Sequence, residues 1–153
     1  MSPGSPLVIE FEVACDAPHA FATWTTRLST WWPRDHTVSG DAAAEVEIEP
    51  RPGGRILERS PDGAVHTWGT VTDWEPPRRL AYLWHLGQDP TRPTTVDVRF
   101  EDLEGERCRV VIEHGGWEHL GSDAEVRRKA NRSGWEAVLP AFVAAAGRAH
   151  SPP

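Results

Sequence analysis

Apolar and polar residues alternate in several short segments of the chain. Residues 7–13, LVIEFEV, place glutamates on one side of an extended chain and four apolar side chains on the other: Leu7, Ile9, Phe11 and Val13. This period of two is typical of a half-buried strand. Six more such segments lie between residues 45 and 114, separated by turns rich in Gly and Pro. The pattern therefore predicts about seven strands, and the short connections favour antiparallel neighbours.

The segment after the first strand has helical spacing instead. Asp16 is a suitable N-cap, Pro18 is tolerated in a first turn, and Pro33 would end the helix. The apolar residues recur every three or four positions: Ala20, Phe21, Trp24, Leu28 and Trp31. The spacing predicts one amphipathic helix over residues 16–32.

A second, longer helix is predicted near the end of the chain. Ser122 and Glu125 form a capping box at its start, Pro140 should bend it, and Gly147 is a suitable C-terminal stop. Its apolar stripe comprises Trp135, Val138, Leu139, Phe142, Val143 and Ala146. The segment RRK at 127–129 is interpreted as its solvated face, with Glu125 and Lys129 spaced for an i,i+4 ion pair.

The order of elements predicts an α+β fold. A curved antiparallel sheet of about seven strands would wrap around the long C-terminal helix, with one or two short helices after the first strand. The length fits one domain over residues 1–153 with a core of about 6–147. If the sheet curls around the helix, side chains need not fill the space between them, so a cavity is expected.

Composition and charge narrow the classes of partner. The net charge is −7 and the basic residues are scattered except for RRK at 127–129, so nucleic acid is not an expected partner. The chain has neither a signal-peptide pattern nor an apolar stretch of the ~18 residues that a membrane span needs. We therefore expect a cytoplasmic protein without a membrane partner, in which Cys15 and Cys108 are reduced thiols.

Several segments resemble the START-like superfamily, also called SRPBCC, which has the helix-grip fold of the birch pollen allergen. Within it, the chain resembles the family named for the activator of the heat-shock-protein-90 ATPase. The matching segments are DAPHAFATWTT (16–26), WWP (31–33), PGGR (52–55), GTVTDWEPPRRLAYLWHL (69–86) and GW with the apolar stripe that follows (134–143).

The resemblance implies a hydrophobic cavity between the sheet and the last helix, with its mouth near the segment after the first helix. It does not imply one function, because the fold hosts lipid carriers, receptors, cyclases and co-chaperone domains. Co-chaperone members carry an additional N-terminal domain that contacts the chaperone, whereas this chain starts at the first strand. A chaperone partner is therefore not expected.

The candidate ligand-binding residues are those expected on the concave face or at the mouth. Adjacent helical positions diverge by ~100°, so Trp31 and Trp32 should not both face one core, and one of them should border the cavity. The full set is Trp31, Trp32, Trp68, Tyr82, Trp84, Val98, Phe100, Ile112, His114, Trp117, Trp135 and Leu139. The alternative for the tryptophan pair is ordinary packing or partial exposure.

Catalytic chemistry has two candidates. His114 and Tyr82 are the titratable residues expected on the inner face, where burial could tune a proton-transfer group; the alternative is that each only satisfies a hydrogen bond. The segment EHGGWEH offers Glu113, His114, Glu118 and His119 to a metal, but a strand ending in Gly-Gly would separate these donors. We expect no metal site and no cofactor.

The sequence therefore predicts a protein that binds a small hydrophobic or aromatic molecule. One alternative is an enzyme of the cyclase or hydrolase type on the same scaffold. Another is an interaction module that uses exposed aromatic surface, for example as a homodimer.

Overall fold

The computed structural model describes residues 5–86 and 88–150, with only the backbone of 148–150. Seven strands form one sheet in the spatial order β1-β7-β6-β5-β4-β3-β2, and every neighbouring pair is antiparallel. The strands are β1 Leu7–Val13, β2 Glu45–Ile48, β3 Arg55–Arg59, β4 Val65–Glu75, β5 Arg79–Trp84, β6 Thr94–Leu103 and β7 Arg107–Gly115. The predicted α+β fold with seven antiparallel strands is confirmed.

The strand registers place the predicted inner residues in rows across the sheet. Val96 of β6 lies opposite Tyr82 of β5 and His114 of β7, and Val98 lies between Leu80 and Ile112. These side chains are buried, as the alternating pattern predicts. One face of the sheet therefore carries the core, while the other presents charged residues.

Two short helices follow β1, in agreement with the predicted one or two, although the apolar spacing indicated a single helix over residues 16–32. They are α1 Ala17–Trp24, capped by the Asp16 carboxylate, which accepts a hydrogen bond from the His19 backbone N–H at 3.0 Å, and α2 Leu28–Trp31. Between them the backbone of Thr25 leaves helical geometry, and its hydroxyl donates to the Phe21 carbonyl oxygen at 2.7 Å. The Thr25 backbone N–H donates to the same carbonyl oxygen at 3.0 Å, so Thr25 caps the end of α1 with both groups.

The long helix, α3, spans Ala124–His150 and comprises 27 residues. It begins after a 3-10 helix over Trp117–Asp123, so the predicted start at Ser122 is two residues early. Just before α3, the backbone of Gly121 has a φ of 58°, which interrupts the helical geometry. Gly147 does not end the helix, because glycine also adopts right-handed helical angles.

The inner stripe of α3 is buried as predicted, except for Val143, which is 38% exposed. Val143 follows Phe142 by one residue and so points away from the inner face by ~100°. Within residues 5–86 and 88–150, no helix combines the length and the apolar character needed to cross a membrane.

Candidate ligand-binding site

Tryptophan rings fill much of the space between the sheet and the helices. Six of the eight tryptophans form a connected set, here called the tryptophan cluster, in which neighbouring ring centroids lie 5.2–6.5 Å apart. Its members are Trp24, Trp31, Trp32, Trp68, Trp84 and Trp135. Aromatic pairs at these separations add to the stability that their burial provides.

The predicted hollow is therefore largely closed at its centre. The void left among Trp24, Trp32, Trp68, Tyr82 and their neighbours has a volume of about 10 Å³, which is room for about one water molecule. The sequence pattern places these rings on the inner face, but their bulk fills the space that curvature of the sheet would otherwise leave. A small aromatic molecule has no place there.

Open space lies instead at the rim, between α3 and the end of β5. It consists of two adjoining hollows, here together called the rim crevice. The smaller has a volume of about 70 Å³ and the larger about 260 Å³. They share His36, Trp84, Leu86, Asn131 and Gly134 as lining residues. Because a cavity of about 150 Å³ holds benzene, the larger hollow has room for an aromatic ring.

The two hollows differ in chemistry. The smaller is completed by the apolar and aromatic side chains of Trp32, Trp135 and Val138. The larger is completed by His85, Gln88, Thr94, Arg127 and Ala130. The helix supplies one face of both, since positions 127, 131, 134 and 138 recur at helical spacing. The rim crevice therefore joins an aromatic floor to a polar end.

The adjacent tryptophans Trp31 and Trp32 are both buried, each 6% exposed, and their ring centroids lie 5.6 Å apart. The expectation that they could not share one core is wrong, because both belong to one buried cluster in which their diverging rings meet different neighbours. Their surroundings still differ. Trp31 packs on Trp24 and Phe142, whereas Trp32 lines the rim crevice.

His114 lies behind the rim crevice with both ring nitrogens engaged. Its Nδ1 accepts a hydrogen bond from Trp135 Nε1 at 3.0 Å, and its Nε2 lies 2.7 Å from Thr94 Oγ1. The Trp135 indole can only donate, so Nδ1 is unprotonated and Nε2 carries the hydrogen of the neutral ring. Burial, with a smaller contribution from the charge of Arg127, lowers the pKa of His114 to about 3.

Tyr82, the other candidate acid or base, is enclosed by the core. Burial raises its pKa well above the ordinary value, against a smaller opposing effect of the Trp24 side chain. It borders the small inner void but not the rim crevice. In this structure neither Tyr82 nor His114 lines the open space where a substrate would lie.

The twelve predicted ligand-binding residues divide by position. Three of them line the rim crevice: Trp32, Trp84 and Trp135. Trp68 and Tyr82 border only the inner void, together with Trp32 and Trp84. The others are buried and line neither space: Trp31, Val98, Phe100, Ile112, His114, Trp117 and Leu139.

The polar residues of the rim crevice were not among the predicted ligand-binding residues. Arg127 belongs to RRK, interpreted as a solvated face, yet it is half-buried and lines the larger hollow. Lys129, two residues later, is exposed and pairs with Glu125 at 3.6 Å, as the sequence predicted. The signal that could have identified Arg127 and Asn131 is their spacing from Trp135, which puts them on its side of the helix.

A buried carboxylate holds the chain segment that follows the tryptophan pair. Glu58 of β3 accepts hydrogen bonds from the backbone N–H groups of Val38 at 2.7 Å and Ser39 at 2.9 Å, and from Trp68 Nε1 at 3.1 Å. Burial acts to raise the pKa of Glu58, but these donors outweigh it and the pKa is lowered. Glu58 therefore ties the loop to the tryptophan cluster as a carboxylate.

The four residues considered for metal binding are not brought together as a site. His114 is buried in the core, whereas Glu118 and His119 are exposed and lie 3.8 Å apart. Across residues 5–86 and 88–150, no three His, Cys, Asp or Glu side chains are arranged to hold a metal ion.

The curved antiparallel sheet around a long C-terminal helix defines a START-like, or SRPBCC, protein. The sequence model of one family in this class, described as Activator of Hsp90 ATPase homolog 1-like protein, matches residues 15–147. Because the match covers most of the chain, the protein belongs to this family. The search of curated proteins found no match.

Solved structures with the same fold include a synthase and a resistance protein. The anthrahydroquino-gamma-pyrone synthase Txn09, solved in complex with SUM, is 26% identical, with 95% of this chain and 99% of that chain covered and a TM-score of 0.62. The self-sacrificing resistance protein CalC from Micromonospora echinospora is 23% identical, with 95% and 96% covered and a TM-score of 0.71. A protein from Arthrobacter aurescens is 21% identical, with 100% and 90% covered and a TM-score of 0.66.

Proposed function

We propose that this protein binds a small aromatic molecule in the rim crevice. The observation that carries the proposal is the aromatic floor formed by Trp32, Trp84 and Trp135, which adjoins the larger hollow of the crevice. Planar rings gain free energy from both burial and ring contacts on such a surface. Polar groups at the other end of the crevice would orient the molecule, which is the usual composition of a ligand site.

Gly134 supports this proposal from the side of the helix. A glycine inside a helix costs about 1 kcal/mol relative to alanine, and Gly134 lies well within α3. A Cβ built at this position has nothing within 4 Å, because it would point into open space. The residue therefore leaves room in the rim crevice at the expense of helix stability.

Gly134 also provides the test, because a larger side chain there should fill the crevice without a clash. We expect 2-naphthol to quench tryptophan fluorescence saturably in the native protein. In Gly134→Leu the dissociation constant should rise at least tenfold. Gly147→Leu is the matched control, since Gly147 lies in the same helix, has equally open surroundings and does not line the crevice.

Two results would contradict the proposal. One is the absence of saturable quenching by 2-naphthol and by larger aromatic probes such as anthraquinone-2-methanol up to their solubility limits. The other is equal affinity in Gly134→Leu and the native protein, which would place the ligand elsewhere. Thermal unfolding of each variant establishes that the comparison is made on folded protein.

An enzymatic function on the same scaffold is the second candidate, and the likeness to the synthase Txn09 favours it. The histidines that line the rim crevice, His36 and His85, are better placed for proton transfer than His114 or Tyr82. Conversion of a bound aromatic substrate that is lost in His36→Gln or His85→Gln, with binding retained, would support this candidate. Unchanged turnover in both variants would contradict it.

A further inference from the structure

We infer that the ligand carries an acidic group, such as a carboxylate or a phenolate, which pairs with Arg127 at the polar end of the rim crevice. The inference rests on the proposed function, because it assigns a chemical class to the molecule bound there. Its physical basis is a half-buried cation in a crevice whose described lining residues include no Asp or Glu.

Arg127 forms no ion pair with any residue that the structure describes, although the protein has a surplus of acidic residues. The net charge is −7, and several other arginines form ion pairs, such as Arg79 with Asp97 at 2.8 Å and Arg109 with Glu10 at 3.2 Å. None of the ion pairs among the described residues includes Arg127. Its hydrogen bond goes to the neutral amide oxygen of Gln88.

The surroundings of Arg127 favour an incoming anion. Burial lowers the pKa of its guanidinium; Asp123 acts in the opposite direction, and the positive charge of Arg92 lowers it further. Arginine nevertheless stays protonated in proteins. A half-buried guanidinium has lost part of its hydration, so an anion that binds it recovers more free energy than it would at an exposed lysine.

The lining of the rim crevice also favours a ligand with a negative charge. Among the described residues that line it, none is Asp or Glu, whereas His36, His85 and Asn131 can donate hydrogen bonds. A planar molecule whose ring lies in the larger hollow against Trp84, with one edge on the tryptophan floor, would extend toward Arg127 because the two hollows adjoin. An aromatic acid has both of the required parts in one molecule.

The test compares two probes of nearly equal shape, 2-naphthoate and the neutral 2-naphthamide, by calorimetric titration at pH 7. The native protein should bind 2-naphthoate at least tenfold more tightly. Arg127→Gln should remove this preference by weakening 2-naphthoate alone, and Arg127→Lys should retain part of it. Lys129→Gln is the control, because Lys129 is on the same helix, its side chain is 75% exposed and it does not line the crevice.

The outcomes separate this inference from the proposed function. Equal affinity for the two probes in the native protein, with binding still abolished by Gly134→Leu, would overturn the acidic ligand and leave the aromatic site standing. A preference that persists in both Arg127→Gln and Arg127→Lys would overturn the role of Arg127. If neither probe binds the native protein, both proposals fail.

Discussion

The indole of Trp135 on α3 donates a hydrogen bond to Nδ1 of His114 on β7 across 3.0 Å. On its other side, His114 contacts the hydroxyl of Thr94 at 2.7 Å. Trp135 lines the smaller hollow of the rim crevice and Thr94 the larger. The buried imidazole therefore links one lining residue of each hollow without lining the crevice itself. We interpret His114 as a residue that positions Trp135 and Thr94.

The His114 contacts predict a loss of stability in mild acid. Its pKa is about 3 in the folded protein and ~6.5 when unfolded, so between these values only the unfolded state takes up the proton. The stabilising effect is complete above pH ~6.5 and is lost as the pH falls, by about 1.4 kcal/mol per pH unit. Urea unfolding at pH 7 and pH 5 should show a difference of about 2 kcal/mol from this residue.

A variant isolates the contribution of His114 to this pH dependence. His114→Gln should be less stable at pH 7, because it disrupts the contacts with Trp135 and Thr94, but its stability should change less between pH 7 and pH 5. His119→Gln, at an exposed position, should behave like the native protein. An unchanged pH dependence in His114→Gln would show that other groups cause it.

The hydrogen bonds of Glu58 predict that substitution of this residue lowers the stability of the protein measurably. In Glu58→Gln, one carboxylate oxygen becomes an NH₂ group that cannot accept from Val38, Ser39 or Trp68. A buried polar group without a partner costs about 1–3 kcal/mol, so we expect a loss of about 2 kcal/mol in urea unfolding at pH 7. The amides of Val38 and Ser39 should also exchange hydrogen faster.

The control for Glu58 lies on the neighbouring strand. Glu47→Gln changes the same groups at an exposed position of β2 that pairs with Arg59 at 3.7 Å. Exposed ion pairs contribute little, so its stability should stay within about 0.5 kcal/mol of the native value. Equal effects at Glu47 and Glu58 would contradict the interpretation of Glu58 as a buried anchor.

The close approach of two strands at Gly69 predicts that a larger residue there destabilises the centre of the sheet. It lies opposite Trp84 in the β4–β5 pair, and a Cβ added to it would stand 2.0 Å from the carbonyl oxygen of Leu83. Gly69→Ala must push the strands apart, with an expected cost of about 1–3 kcal/mol. Thermal unfolding followed by near-UV circular dichroism measures this cost, and an unchanged midpoint would refute the close approach.

Gly134→Ala should have the opposite effect on stability. The added Cβ meets open space, and alanine is the better helix former by about 1 kcal/mol. We expect a rise in the unfolding midpoint of about 2–4 °C. A decrease would show that the position is crowded, and the space assigned to the rim crevice would then be wrong.

The sequence predicted the sheet well because alternation of apolar residues directly reports which side chains face inward. Val96, Val98 and Phe100 of β6 are buried as expected. The N-cap at Asp16 was also predictable, since capping depends on a few adjacent residues. The family resemblance, carried by segments spread over most of the chain, is confirmed by the match to residues 15–147.

The site was less predictable, because it depends on how side chains from distant segments share one volume. Alternation identifies Trp68 and Trp84 as inner residues but does not reveal that their rings close the centre. The divergence of Trp31 and Trp32 did not keep them out of one core, because rings from several distant segments surround both. Arg127 was misread because a basic residue in a helix is usually solvated, and only packing against β5 and its loop makes it part of a crevice.

The aromatic contacts extend beyond the tryptophan cluster: Trp74 contacts Phe21 at 5.1 Å and Trp117 contacts His114 at 4.4 Å. Phe21 reaches the cluster through Phe100, and His114 contacts Trp135, so aromatic contacts join all eight indoles. Within the tryptophan cluster the rings lie close enough for excitation energy to pass from one indole to the next before emission. A molecule that quenched one indole at the rim crevice would thus also dim light absorbed by other members of the cluster, so the emission of the native protein would report occupancy of the proposed site.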